Sequence, residues 1–358
     1  LISVQEDSSR IYDPIELPTS IDTFSHIQNL IPLSSQGNKS YPTIALDTLI
    51  AEPYHHWADS DGDAKASGEL RVKWENYKNI DITQQVKDNP NNVLAPCEAP
   101  YKLTLSLTDV LLSTKYGNPN KNYFNGTSHS YYIKPKIDEP LVCYVQPNLN
   151  NGSGRHAGPK EQWDPDNGFK VQSLSDASKN FPTTVANNLY FKLMLAGMTA
   201  KKMIAINGNT VKPVSGTGIT LLLTAENNEL DGNIVRVTLK EPTKDSRNKA
   251  FKPSTFELYD DTAKKLIYQF KIDRWFIVKL GDTGQDYNNA VSFCNSLSSS
   301  SQRYSVPAAQ DYTNANGNYW YQGVPGQENV YQRRISYINN SRWIGGLFSE
   351  WGIIYDYQ

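Results

Sequence analysis

The chain has little of what would make nucleic acid or a bilayer its partner. Lys and Arg number 35 against 37 Asp and Glu, a net charge of -2. No basic surplus is left to neutralise phosphates or to hold a polybasic anchor on anionic lipid. The longest apolar runs, residues 219–225 and 193–198, fall far short of the roughly 20 residues that span a membrane. The opening LISVQEDSSR lacks the charged-then-apolar order of a signal peptide, so any leader is expected to have been removed. Only three cysteines occur, Cys97, Cys143 and Cys294, which leaves room for at most one internal disulfide. That suits a secreted or periplasmic chain, and equally a cytosolic one with free thiols. No G-x-S-x-G, HxH or HExxH is present, and no His follows His156, so the C-terminal half has no imidazole base.

What is present is β-forming. The 358 residues are 38% hydrophobic and 20% charged, enough for two or three domains with real cores. Tyr (22), Phe (11) and Trp (7) are abundant beside many Asn, Ser and Thr, a composition associated with extracellular β proteins. Residues 1–40 read as a lead-in segment. GELRVKWE (68–75) and YKLTLSLT (101–108) alternate apolar and polar residues, as half-buried strands do. YYIKPKI (131–137) and PLVCYVQP (140–147) add two more strands, and residues 148–168 read as one long loop. Together these form an N-terminal β domain over 41–182. Short strands then recur through 183–271 (NNLYFKLMLAG, KMIAING, GITLLLTAE, IVRVTLKE, STFELYDD, KLIYQFKI), the spacing of an immunoglobulin-like sandwich. The fold class expected is mainly β, with multidomain sandwiches and a C-terminal α+β domain.

Residues 272–358 differ. WFIV (275–278) reads as a strand. Tyr287, Ala290, Val291, Cys294 and Leu297 fall on one helical face of 285–297. Sixteen of the 84 residues from Trp275 to Gln358 are aromatic, 19% against 11% for the whole chain. The succession of WFIV, AVSFCNSL, RYSVPAAQDY, DYTNANG (311–317) and GGLFSEWG (345–352) resembles a C-type-lectin-like domain. More closely, it resembles the C-terminal domains of intimin/invasin-type adhesins of Gram-negative bacteria. The likeness covers the last 85 or so residues by motif and the central block by architecture alone. It implies a secreted or surface-exposed virulence protein whose β modules carry a lectin-like tip for cell adhesion. The expected partner is a host cell-surface protein or glycan, bound without covalent chemistry, so the chain is expected not to be an enzyme. No translocating barrel lies in the chain. The alternative is a secreted effector exported by a partner outer-membrane translocator. The Glu-Pro-Asn or Gln-Pro-Asp tripeptide of calcium-dependent sugar sites is absent from 272–358.

The expected contact surface is Tyr319, Trp320, Tyr321, Gln327, Tyr331, Arg333, Arg334 and Trp343, aromatics and arginines of the kind enriched in hot spots. Part of this set must instead fill the domain's core, to which Trp275, Phe293, Phe348 and Trp351 are assigned outright. Glu350 is read inside an apolar strand, pairing with Arg334 or Arg342. No cofactor is expected. Ca²⁺ is the one ion with a candidate, at Asp59, Asp61 and Asp63; the spacing is not that of an EF-hand, and a polar turn is the competing reading. Asp164-Pro165-Asp166-Asn167-Gly168 reads as a turn. Given an extracellular chain, Cys97 and Cys143 are expected to bridge, contributing up to about 4 kcal/mol by chain entropy, with two buried thiols as the alternative.

Overall fold

Alternating side chains place two central strands at once. In the computed structural model, β4 (Glu69–Glu75) and β5 (Tyr101–Leu107) pair antiparallel with Val72 opposite Leu105 and Trp74 opposite Leu103. The described residues are 14–18, 22–27, 43–50, 62–261, 265–279, 286–300, 302–317 and 328–354. The chain is mainly β with several sheets, and it divides into two units, 1–138 and 139–358.

In the first unit β1 (Ile15–Leu17), β2 (Thr43–Ala45) and β8 (Thr127–Pro135) complete a five-stranded sheet ordered β1-β8-β5-β4-β2. Its apolar face buries Val72, Trp74, Tyr101, Leu103 and Ile133. The Phe24 ring closes on this face, edge-on to Trp74 and Tyr101 at 5.2 Å each. A second sheet joins β3 (Lys65–Ala66), β6 (Val110–Ser113) and β7 (Lys121–Phe124), over a small cluster of Leu46, Ala66 and Val110.

The second unit holds a seven-stranded sheet. Its strands are β9 (Leu141–Gln146), β10 (Trp163–Asp164), β11 (Gly168–Phe169), β13 (Tyr190–Ala196), β14 (Thr210–Val211), β16 (Thr220–Ala225) and β17 (Ile234–Lys240), ordered β10-β11-β9-β13-β17-β16-β14. A three-stranded sheet of β15 (Ser215–Thr217), β18 (Lys252–Tyr259) and β19 (Leu266–Ile272) shares its core. Phe191 of β13 meets Phe270 of β19 at 5.7 Å. The boundaries read at 182/183 and 271/272 fall inside this unit. β9 pairs with β13, and Trp275, Ile335, Leu347 and Trp351 bury in the core those sheets share. Near the C-terminus, β12 (Thr184–Ala186) pairs in parallel with β20 (Arg274–Phe276), and β21 (Tyr337–Asn339) forms a hairpin with β22 (Arg342–Ile344).

Several local readings change. KMIAING is not a strand but most of helix α3 (Ala200–Asn207). The Thr199 hydroxyl accepts from Lys202 N at 3.3 Å at its start, and Gly208 ends it at φ 81°. LFSEW is likewise helical, α6 (Leu347–Trp351), between glycines at positive φ. Residues 148–168 contain β10 and the start of β11, and Trp163 there is buried, its indole N–H donating to Gly152 O at 2.6 Å. The helix expected at 285–297 is α4 (Tyr287–Leu297), capped by Asp286, whose Oδ1 accepts from Asn289 N at 2.8 Å. The DPDNG segment is a turn: Asp164 Oδ1 accepts from Asp166 N and Asn167 N. Among the described residues, no helix is long and apolar enough to cross a membrane.

Candidate functional site

Among the described residues β20 has one strand neighbour, β12, with Arg274 opposite Thr184 and Phe276 opposite Ala186. Along its other side runs a groove of about 660 Å³. Residues 273–279 all border it. Successive side chains of β20 point to opposite faces, so the lining by all three of Arg274–Phe276 brings the strand's backbone edge to the groove, and the non-strand residues 277–279 continue the wall. Val278, 52% exposed, makes no backbone hydrogen bond to any described residue.

The facing wall comes from α4. Ala290, Phe293, Cys294 and Leu297 line the groove at the spacing of one helical face. Only Leu297 is fully buried; Phe293 stands half-buried in the wall. Helix α5 (Ala309–Tyr312) and α6 close one end through a ring ladder: Phe276 to Tyr312 at 5.7 Å, Tyr312 to Phe348 at 5.8 Å. Of the four aromatics assigned to the core, Trp275 and Trp351 are buried, whereas Phe293 and Phe348 are half-buried groove walls. A helix or strand pattern marks which residues are apolar, not whether an opposing element reaches them.

The groove's charges are mostly spent. Asp311 pairs with Arg274, whose guanidinium lies 4.5 Å above the Trp343 ring. Asp273 pairs with Lys271 at 2.7 Å. Arg303 lines the groove, exposed, with no carboxylate partner among the described residues. Burial pushes the Cys294 thiol above its ordinary value, so at neutral pH it is protonated and slow to react. Burial also raises the Tyr312 phenol, with Cys294 and Asp311 adding to it.

Behind the groove, Glu350 is fully buried. Its carboxyl accepts from Thr183 N (2.9 Å), Thr184 N (3.0 Å), Ser336 N (2.9 Å) and the hydroxyls of Thr183 (2.5 Å) and Thr184 (3.0 Å). Burial pushes the carboxyl up and these donors draw it back. The ion pair expected with Arg334 or Arg342 is replaced by this cage, because the helical geometry of α6 turns the side chain inward onto β12.

The sequence-derived contact set divides. Tyr319, Trp320, Tyr321 and Gln327 lie outside the described residues, as do Asp59 and Asp61. Arg333 is fully buried. It donates from Nη1 to Glu350 O at 3.1 Å and lies 4.6 Å over the Trp163 ring. A side chain at Gly352 would strike that guanidinium at 2.7 Å, and Gly352 sits at φ 73°. Trp343 is 6% exposed. These two are therefore packing residues, not surface contacts. Arg334 is half-buried, 5.3 Å over the Tyr337 ring. Tyr331 packs against His156, ring centroids 4.8 Å apart and planes tilted by 58°. Asp63 engages Lys115 N through Oδ2 at 2.8 Å. Among the described residues, no group of three His, Cys, Asp or Glu is placed to hold a metal. Cys97 and Cys143 are disulfide-bonded, and Cys294 is a free thiol.

No protein-family model, no curated protein and no solved structure matches the chain.

Proposed function

We propose that this chain is an extracellular bacterial recognition protein of the intimin/invasin type. Its lectin-like C-terminal portion holds a host surface protein without covalent chemistry. The single observation behind this reading is the groove: an open strand edge faces an aromatic helix wall, the arrangement that lets a sheet take up an extended segment of a partner. Backbone groups of β20 supply affinity, and Phe293, Phe348 and Tyr312 sort the partner's side chains. Arg303 favours a partner carrying a carboxylate. The groove is read as binding rather than catalytic because its carboxylates, Asp273 and Asp311, are already engaged by cations. Tyr319, Trp320, Tyr321 and Gln327 stay in the proposed contact surface as neighbours in sequence.

The test uses the whole chain against a panel of host-cell surface proteins and a glycan array, with calcium and with chelator. A saturable protein partner should bind about tenfold or more weakly to a Phe293→Ala/Phe348→Ala variant of unchanged melting temperature. The same partner should slow alkylation of Cys294 by iodoacetamide. Undiminished binding by the variant, with Cys294 unprotected, removes the groove from the function.

A further inference from the structure

The small sheet β3-β6-β7 of the first unit packs one face of β3 and β6 on Leu46 and leaves the other face open, while β7 is exposed throughout. Direct cross-strand partners share a face. Ala66, Leu112 and Asn122 therefore form a row on the face that packs on Leu46, with Val110 and Phe124 in the next; the β7 members of both rows, Asn122 and Phe124, reach past the packing and are exposed. The open face carries Lys65, Ser113 and Lys121 in one row and Leu111 beside Tyr123 in the next. Both lysines are exposed, and Tyr123 is 78% exposed. The β6–β7 turn adds Lys115, whose Nζ stands 5.2 Å from the ring of the exposed Tyr116.

None of the three lysines has a carboxylate partner among the described residues. On the neighbouring sheet the pattern is opposite: Lys73 and Lys102 share Glu75, and Lys134 meets Glu16. Asp63 meets this turn through Lys115 N, 2.8 Å from its Oδ2, and ion-pairs with none of the three ammonium groups, so the face keeps a cationic surplus on a chain whose net charge is -2. Adjacent strands lie about 4.8 Å apart, so the backbones bearing Lys65 and Lys121 are separated by about 10 Å. A serine hydroxyl lies between them and a tyrosine ring in the next row.

We infer that this open face binds an acidic polysaccharide. Two cations about a disaccharide apart meet successive anionic groups, and the electron-rich face of Tyr123 receives the C–H face of a sugar ring. A lipid surface fits less well, because the sheet's most apolar exposed ring, Phe124, belongs to the opposite face. The site is separate from the groove and does not rest on that reading.

The experiment measures binding of the full-length chain to fluorescent heparin and to alginate, a polyuronate, over a salt series at neutral pH. Polyglutamate and phosphatidylserine vesicles serve as the acidic-polypeptide and lipid arms. Wild type should bind at least one polysaccharide saturably. K65Q/K115Q/K121Q should bind about tenfold or more weakly, with a flatter salt dependence. The matching triple Lys→Arg variant should retain binding. Y123A should bind several-fold more weakly with the salt slope unchanged. All these side chains are exposed, so melting temperatures should stay together. Failure of wild type to bind either polysaccharide overturns the inference. So does a Gln variant that binds as wild type, or equal binding to polyglutamate or vesicles with Y123A silent.

Discussion

Glu350 receives five donors on two oxygens, and both oxygens serve backbone N–H groups: Oε1 takes Ser336 N, and Oε2 takes Thr183 N and Thr184 N. An amide at this position must turn its NH₂ toward one of them. Glu350→Gln is therefore expected to lower stability by about 1–3 kcal/mol, the cost of a stranded buried donor, measured as a shift of the urea midpoint at constant slope. Glu75 makes a different prediction. Burial works to raise its carboxyl, but Lys73 at 2.7 Å and Lys102 at 3.4 Å outweigh it and hold the value below the ordinary one. A carboxyl lowered in the folded state binds its proton more weakly there than when unfolded. Its stabilisation is complete above the ordinary glutamate range and is lost as pH falls through the folded value. Glu75→Gln should flatten the loss of stability between about pH 6 and about pH 3 that wild type shows. An acid limb identical to wild type would show that the lysine pair contributes nothing. Neither carboxyl's environment was legible in the sequence. Glu350 sits 167 and 166 positions from the threonines that cage it, and no local pattern announces a partner at such separation.

Elements with a strong period were legible because their period is set by their own backbone. Val72 and Trp74 point inward as alternation requires, and α4 spans nearly the residues its 3.6-residue spacing assigns. The readings that changed are those in which caps outweigh composition. α3 and α6 are short and rich in residues that also suit strands, and their limits are set by Thr199, Gly208, Gly346 and Gly352. The groove was invisible for a related reason: it depends on β20 having no second strand neighbour among the described residues, which is a property of the sheet. That edge carries its own prediction. Proline at Val278 removes an N–H that bonds to no other described residue, so Val278→Pro should leave the melting temperature within about a degree or two of wild type. If the proposed partner pairs with this edge, the same variant should bind it about tenfold or more weakly, read by titration calorimetry. A variant that binds as wild type would leave only the aromatic wall as the contact.

At the scale of the whole chain, the question is which stretches fold without the rest. Sequence likeness suggests that residues 272–358 are a module, since their aromatic density and motifs set them apart. Their hydrogen bonds run into the preceding block. β20 pairs with β12, and Glu350 takes four of its five donors from Thr183 and Thr184. The indole of Trp351 donates to Thr184 O at 2.5 Å, and Trp351 packs against Phe181 at 4.9 Å. Cut at 272, the fragment would keep a buried carboxyl without four of its five donors and expose the rings that share a core with β13 and β19. Residues 139–358, by contrast, keep both sheets and every one of these partners. A fragment of residues 139–358, with Cys143→Ser to remove the thiol left by truncation, should unfold cooperatively in urea and give a dispersed amide spectrum. The fragment 272–358 should show neither. Cooperative unfolding of the shorter fragment would mean that its helices and hairpin close a core of their own. The contacts to β12 would then be docking between modules rather than part of one fold.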